Sequence, residues 1–252
     1  MIDASNLVPE AQPIAQAAAE ALIRHTEPWL VGVMAHGSAY KGGFIPACSD
    51  VDMQLYLEPA AFAADSQLPL DLCIAIHREL ARIDPAPFGY IQIRALASVP
   101  APTYIGPIPG AYTMIAGTMP LPEATEQQLR DSSRAALDQL KPIPDYLPAG
   151  LLDHGAARLA RQTRWLCTDV WPTLYRVLAL RTDEALGVWR LPKEQAIALL
   201  PEDDPLGASI RTFHTAVCAH YPAEATVDGA LAVIETGVAL LRAAKTWWER
   251  QR

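Results

Sequence analysis

The sequence predicts two units of different class: an N-terminal α/β (α+β) unit built on a small mixed sheet, then a C-terminal all-α helical bundle. Three observations carry this expectation. Short apolar or alternating runs at 29–35, 50–57, 89–97 and 111–117 are interleaved with stretches of helical spacing. A segment with three prolines and a glycine, Lys141-Pro-Ile-Pro-Asp-Tyr-Leu-Pro-Ala-Gly150, then interrupts the pattern. Beyond it the periodicity is helical throughout. Mixed elements followed by helices alone argue for separate units. The boundary is placed at 145/146, giving domains 1–145 and 146–252, and the cleft between them is the default ligand site.

Each element has its own reason. Residues 8–25 are alanine-rich and read as a helix. The apolar run Trp29–Ala35 is a strand that ends at Gly37. In 50–57, Met53, Leu55 and Leu57 alternate with Gln54 and Tyr56, the period of a strand. Residues 69–83 place Leu72, Ala75, Ile76, Leu80 and Ile83 on one helical side, and Asp84-Pro85-Ala86-Pro87 ends that helix. Residues 89–97 alternate as a third strand, with Tyr90, Gln92 and Arg94 on one face and Ile91 and Ile93 on the other. A proline- and glycine-rich loop covers 98–110, a fourth strand 111–117, and a polar amphipathic helix 124–141. In the second unit, helices are expected at 151–185 with a break near Pro172, then at 192–200, 205–219 and 226–251.

Composition narrows the function classes. With 252 residues and half of them apolar, the chain can bury a substantial core. A net charge of −8 and no basic stripe argue against a nucleic-acid binder. No run is apolar enough to span a bilayer, and the N-terminal residues lack a basic start and an apolar run, so a cytosolic protein is expected. The four cysteines, Cys48, Cys73, Cys167 and Cys218, are scattered without zinc spacing. Cys73, Cys167 and Cys218 sit in apolar or helical stretches and read as buried thiols. His154, His214 and His220 form no metal-ligand pattern.

The chemistry concentrates in residues 37–57, GSAYKGGFIPACSDVDMQLYL. Asp50 and Asp52 are two apart in a strand, so they project to the same side and can share one hard cation. Mg²⁺ suits such a pair, since it takes one or two carboxylates and completes its shell with water and substrate phosphates. The Gly37-Ser38 turn can offer backbone N–H groups and a hydroxyl to a phosphate. A metal anchor beside a phosphate anchor implies chemistry on a nucleoside triphosphate. The bland alternative is a solvated strand end. The apolar strand upstream and the alternation after Asp52 make it the weaker reading.

This arrangement resembles the nucleotidyltransferase superfamily, whose signature is a Gly-Ser turn followed by Asp-x-Asp on the next strand. The segment 174–200, with Arg176 on a helix and Pro192-Lys193-Glu194 opening another, looks like the aminoglycoside nucleotidyltransferases of the streptomycin/spectinomycin adenylyltransferase type. Residues 114–125 also resemble that family's apolar-glycine element. The resemblance implies ATP between the domains, with Gly37 and Ser38 on its terminal phosphates, Asp50 and Asp52 on Mg²⁺, and Lys193 reaching the triphosphate. A lysine at a helix start is chemically suited to that task. It further implies transfer of AMP to a hydroxyl of a small molecule such as an aminoglycoside-like antibiotic. His36 and Lys41 are additional phosphate-contact candidates, equally well read as turn residues. Trp165, Asp169 and Trp171 would suit a cationic sugar in that family's arrangement, though core tryptophans with a surface aspartate read as well.

One position departs from the superfamily. Its third carboxylate, often the general base, falls here on Gln92, with Arg94 on the same face. An amide cannot accept a proton near neutral pH. Either Glu58, Asp84, Asp169 or another carboxylate of the second domain serves, or the acceptor needs no base, or the protein binds nucleotide without transfer. Arg94 would then be an anion contact or a structural ion-pair residue. A protein-modifying or antitoxin-type transferase is a further alternative.

Overall fold

The alternating stretches of the first half resolve into β1 (Leu30–His36), β2 (Val51–Leu57), β3 (Ile91–Ala97) and β4 (Tyr112–Gly117). They form one mixed sheet in the order β3-β2-β1-β4. β1 is antiparallel to both β2 and β4, and β3 is parallel to β2. The coordinates are a computed structural model, which describes residues 1–99, 104–222 and 226–252. The predicted loop 98–110 thus lies partly outside the described residues.

Period-two alternation gives the sheet two unlike faces. Val51, Met53, Leu55 and Leu57 of β2, with Val33 and Ala35 of β1, are fully or almost fully buried. They pack with Ile14, Ala15, Ala18, Ala19 and Leu22 of helix α1 (Gln12–Thr26). Alanines along the inner side of α1 let its backbone approach the sheet. Helix α3 (Leu70–Leu80) covers the same face through Ile76, with Leu72, Leu80 and Ile83 half-buried against the core. Between β1 and β2 lies a single turn of helix, α2 (Ser38–Lys41). The other face holds a smaller apolar cluster of Met34, Tyr56 and Leu121, flanked by Tyr104, Tyr112 and Met114.

Two compact units are present, Met1–Thr125 and Glu126–Arg252. Sequence reading put the division at 145/146, so the two boundaries differ by helix α4 (Glu126–Asp138) and the loop after it. Polar bonds over long sequence distances explain α4's membership of the second unit. Arg130 donates to the carbonyls of Ala179, Thr182 and Asp183, each at 2.7 Å, at the end of helix α6 (Ala156–Arg181). Glu126 accepts the N–H groups of Ala185 and Leu186 at the start of helix α7 (Ala185–Arg190). A cation at a helix C-terminus and an anion at an N-terminus both satisfy orphan backbone groups and suit the helix dipole.

The remaining helices are α5 (Tyr146–Leu152), α8 (Lys193–Ala198), α9 (Pro205–His220) and α10 (Val227–Glu249). α5 begins inside the proline-rich segment 141–150, which the sequence presents as a linker, and runs two residues past it; its Pro148 falls in the first turn, where a missing N–H costs nothing. The expected break near Pro172 does not occur, and α6 runs unbroken through it. Burial of Leu166, Val170, Trp171, Leu174, Val177 and Leu178 outweighs the interior proline. Cys48 and Cys167 are buried, whereas Cys73 and Cys218 are exposed, against expectation for both. Cys73 fails because Ile76 is the only fully buried residue of α3. No helix among the described residues is long and apolar enough to cross a membrane.

Pro172→Ala restores the lost N–H at an unbroken helical position. It should raise unfolding stability by about 2–2.5 kcal/mol, the interior-proline cost less the entropy that proline removes from the unfolded chain. Urea denaturation measures this, and a lower midpoint would show that the proline shapes the helix productively.

Candidate active site

The site begins where β1 ends. Gly37 has φ +67° and ψ −149°, a conformation open essentially to glycine alone. A Cβ at Gly37 would also overlap Asp52 Oδ2, so the carboxylate of Asp52 rests on the bare α-carbon of the turn. Pairing of β1 with β2 produces this contact, because His36 stands opposite Asp52. After the turn, the N–H groups of Tyr40 and Lys41 close on the Gly37 carbonyl and form α2. The first N–H groups of such a turn have no carbonyl of their own helix to meet. Ser38 is buried.

Asp50 is fixed from both sides. The Ser49 carbonyl accepts the Gly89 N–H at 2.8 Å, and the Val51 N–H donates to the Tyr90 carbonyl at 3.0 Å. The Ser49 hydroxyl accepts the Ile45 N–H at 2.9 Å and closes the preceding loop. Asp50 and Asp52 are both half-buried. The charge of Asp50 is felt at His36, the residue opposite Asp52, so the two acids and the turn share one neighbourhood.

A row of side chains crosses the open face of the sheet: Gln92, Asp52, His36 and Tyr112, one from each strand. Gln92 stands beside Asp52 in parallel register, where the resemblance expects a third carboxylate, and it accepts a 3.0 Å hydrogen bond from Tyr90 Oη. Arg94 is one step along, beside Gln54, and both Gln92 and Arg94 are exposed. Beneath the row lies a polar floor. Tyr56 Oη and Tyr104 Oη donate to Gln54 Oε1 at 2.6 and 3.2 Å. The Gln54 amide oxygen is thus occupied, and its NH₂ faces His36 Nε2 at 3.5 Å. His36 must accept there, which requires a neutral ring. Desolvation agrees: burial holds His36 down to about 4, outweighing the opposing pull of Asp50. Tyr112 Oη donates to Glu123 Oε1 at 2.8 Å, and burial first, then this bond, push the phenol up to about 12.

Two other candidate bases of the first unit, Glu58 and Asp84, lie apart from this row. Glu58 follows the last residue of β2, six residues past Asp52, roughly 20 Å along an extended strand. Asp84 is exposed and accepts the Ala86 N–H in its own turn. Asp169 belongs to the second unit, where Tyr146 Oη donates to it at 2.6 Å and its charge opposes the burial that lowers Arg176. Trp165 is exposed beneath the Arg161 guanidinium, 4.1 Å from the ring centre, whereas Trp171 is buried. Pro192 caps α8 and Lys193 opens it, with the ammonium 5.5 Å from the centre of the Trp171 ring. Tyr104, Tyr112 and Glu123 carry no motif in the sequence, and only the sheet order brings them to this face.

Among the described residues no group of three or more His, Cys, Asp or Glu could hold a metal. Two carboxylates do not make a free-standing metal centre. They fit a Mg²⁺ that arrives with phosphate oxygens to complete its shell.

The small mixed sheet and the helical unit after it are consistent with a nucleotidyltransferase fold, which the chain shares with a solved adenyltransferase. The solved structure of spectinomycin adenyltransferase AAD(9) from Enterococcus faecialis, determined with ATP and spectinomycin, is similar with a TM-score of 0.52 and 15% sequence identity, over 90% of this chain and 98% of that one. No protein-family model matches the chain, and no curated protein matches it in sequence.

Two predictions follow from the geometry at Gly37 and His36. Gly37→Ala should displace the Asp52 carboxylate and strain the turn, costing about 1–3 kcal/mol in chemical denaturation; a neutral result would mean the turn can relax. For His36, the folded value lies below the unfolded 6.5, so the unfolded chain binds the extra proton. The His36 contribution to stability is therefore complete above pH 6.5 and is lost as pH falls towards about 4. His36→Gln should remove on the order of 2–3 kcal/mol of the wild-type stability loss across that window. Metal-free urea titrations at several pH values read the difference, and equal slopes would contradict it.

Proposed function

We propose that the protein is a cytosolic, metal-dependent nucleotidyltransferase that moves AMP from ATP to a hydroxyl of a small molecule and releases pyrophosphate. The observation that carries this reading is the seating of the Asp52 carboxylate on Gly37, with Asp50 fixed beside it. Support comes from the shared fold of an adenyltransferase whose structure contains ATP and spectinomycin. On this reading, the Gly37-Ser38 turn directs backbone N–H groups at the terminal phosphates. Asp50 and Asp52 hold Mg²⁺, which when bound supplies neutralising charge at the transferring phosphoryl group and its leaving oxygen. Arg94 contacts an anionic oxygen of the nucleotide, and Lys193 is a further phosphate ligand. The acceptor is assigned to the aminoglycoside-like class.

A second reading, a nucleotide-binding module without transfer, is favoured by one observation: Gln92 occupies the register position beside Asp52. Pyrophosphate release in the presence of ATP, Mg²⁺ and spectinomycin separates the two, since a silent module binds without release.

Calorimetric titration tests the site itself. Wild type should bind ATP in a Mg²⁺-dependent manner. Asp50→Asn and Asp52→Asn should each abolish the metal-dependent part while leaving the circular dichroism and melting temperature unchanged. Lys193→Ala should weaken ATP binding by about tenfold, or 1.4 kcal/mol. Undiminished affinity in either aspartate variant would refute the reading.

A further inference from the structure

The proposed transfer lacks a proton acceptor at the place the resemblance expects one. Gln92 cannot serve, and His36 is neutral with its outward nitrogen already facing the Gln54 amide. The opposite flank of the same row is different. Tyr112 stands across β1 from Asp52 and holds the carboxylate of Glu123 through a 2.8 Å hydrogen bond. Two strand spacings separate Tyr112 from Asp52, roughly 10 Å between backbones. His36 of β1 stands between the two in the row.

Glu123 is exposed, yet its backbone is rigidly placed. Leu121 and Ala124 on either side are buried. The Ala124 N–H donates to the Pro107 carbonyl at 2.9 Å. The Pro122 carbonyl lies against the α-carbon of Gly106, at φ +80°, where any Cβ would overlap it. Segment 104–110 therefore clamps the residues that carry Glu123. Asp50 and Asp52 aside, the other acids of this unit lie on α1 and α3 or the segments next to them, in the N-terminal segment, or at the far end of β2.

We propose that Glu123, oriented by Tyr112, is the proton acceptor of the transfer reaction, reaching the acceptor hydroxyl from the β4 side in place of the missing carboxylate on β3. This rests on the nucleotidyltransferase reading. The hydroxyl gives its proton to Glu123, its oxygen forms the new bond to the α-phosphorus, and the bond from that phosphorus to the bridging oxygen breaks. Pyrophosphate leaves with the electron pair, and Glu123 returns the proton to solvent. The Tyr112 phenol remains a donor throughout, so it steers the carboxylate without competing for the proton.

The test compares wild type, Glu123→Gln, Glu123→Asp and Tyr112→Phe, with melting temperatures confirming that each is folded. MgATP affinity is measured by calorimetry, and pyrophosphate release with spectinomycin and with water alone as acceptor. Glu123→Gln should keep MgATP affinity within about twofold and lose pyrophosphate release by about 100-fold or more, the usual contribution of a positioned base. Its pH–rate profile should lose the limb that reports a basic group. Glu123→Asp should retain part of the rate, and Tyr112→Phe should lose less than Glu123→Gln. Release by Glu123→Gln within threefold of wild type, or a loss matched by weaker MgATP binding, overturns the assignment. Wild type that binds MgATP but releases no pyrophosphate with either acceptor also overturns it, and leaves the nucleotide site standing. Wild type that does not bind MgATP removes the functional reading and this inference together.

Discussion

The contact between the Asp52 carboxylate and the α-carbon of Gly37 is the constraint on which the site depends. Two demands meet there. The turn needs a backbone conformation that only glycine adopts readily, and the carboxylate needs the space a Cβ would fill. Neither demand is local to one strand. Both are met because β1 and β2 pair so that His36 faces Asp52. A slip of one residue would turn Asp52 into the core and bring an apolar side chain to the turn. What prevents the slip is burial: Val51, Met53, Leu55 and Leu57 all need the α1 side of the sheet. Core packing therefore sets the register, and the register sets the site. A core substitution that loosened β2 would disturb the carboxylates before it unfolded the unit.

The open face is built to keep formal charge sparse. Beneath Asp52 lie two phenols, an amide and a neutral imidazole, joined so that each donor and acceptor has one role. Gln54 decides the arrangement, because its oxygen is committed to the tyrosines and its nitrogen to His36. Burial raises the Tyr56 phenol and lowers His36, so both stay uncharged over a wide range of pH. The floor itself is uncharged, although the charge of Lys41 is felt at His36 beside that of Asp50.

How much of this was legible in sequence depended on how local the signal was. Gly37, Ser38, Asp50 and Asp52 lie within one turn and the strand after it, so spacing alone brought them together. Gln92 was also readable, since β3 is the parallel neighbour of β2 and alternation fixes its face. Tyr112 and Glu123 were not, because β4 joins the sheet on the far side of β1 and no sequence period announces strand order. The membership of α4 was hidden for the same reason: Arg130 meets carbonyls about fifty residues away. Pro172 misled because a proline's local penalty is visible in sequence, whereas the burial that outweighs it is not.

The asymmetry of the row has an electrostatic logic. A glutamate in place of Gln92 would stand one strand spacing, about 4.8 Å, from Asp52. Two like charges at that distance repel by roughly 1–3.5 kcal/mol between the dielectric of water and that of a protein surface. Asp50 already adds a second charge on that side. With Gln92 neutral and Arg94 next along, the β3 edge carries no negative charge that a metal must balance. The remaining acid, Glu123, is bonded to Tyr112 of β4, which stands two strand spacings from Asp52, and it is exposed, so solvent screens its charge. In the proposed role of Glu123, a carboxylate bonded to β4 replaces one that would stand directly beside Asp52 on β3, which lowers the repulsion at that position. An acceptor molecule would then approach over β4 and Tyr112, past an aromatic edge and a single carboxylate, and not over the basic edge at Arg94.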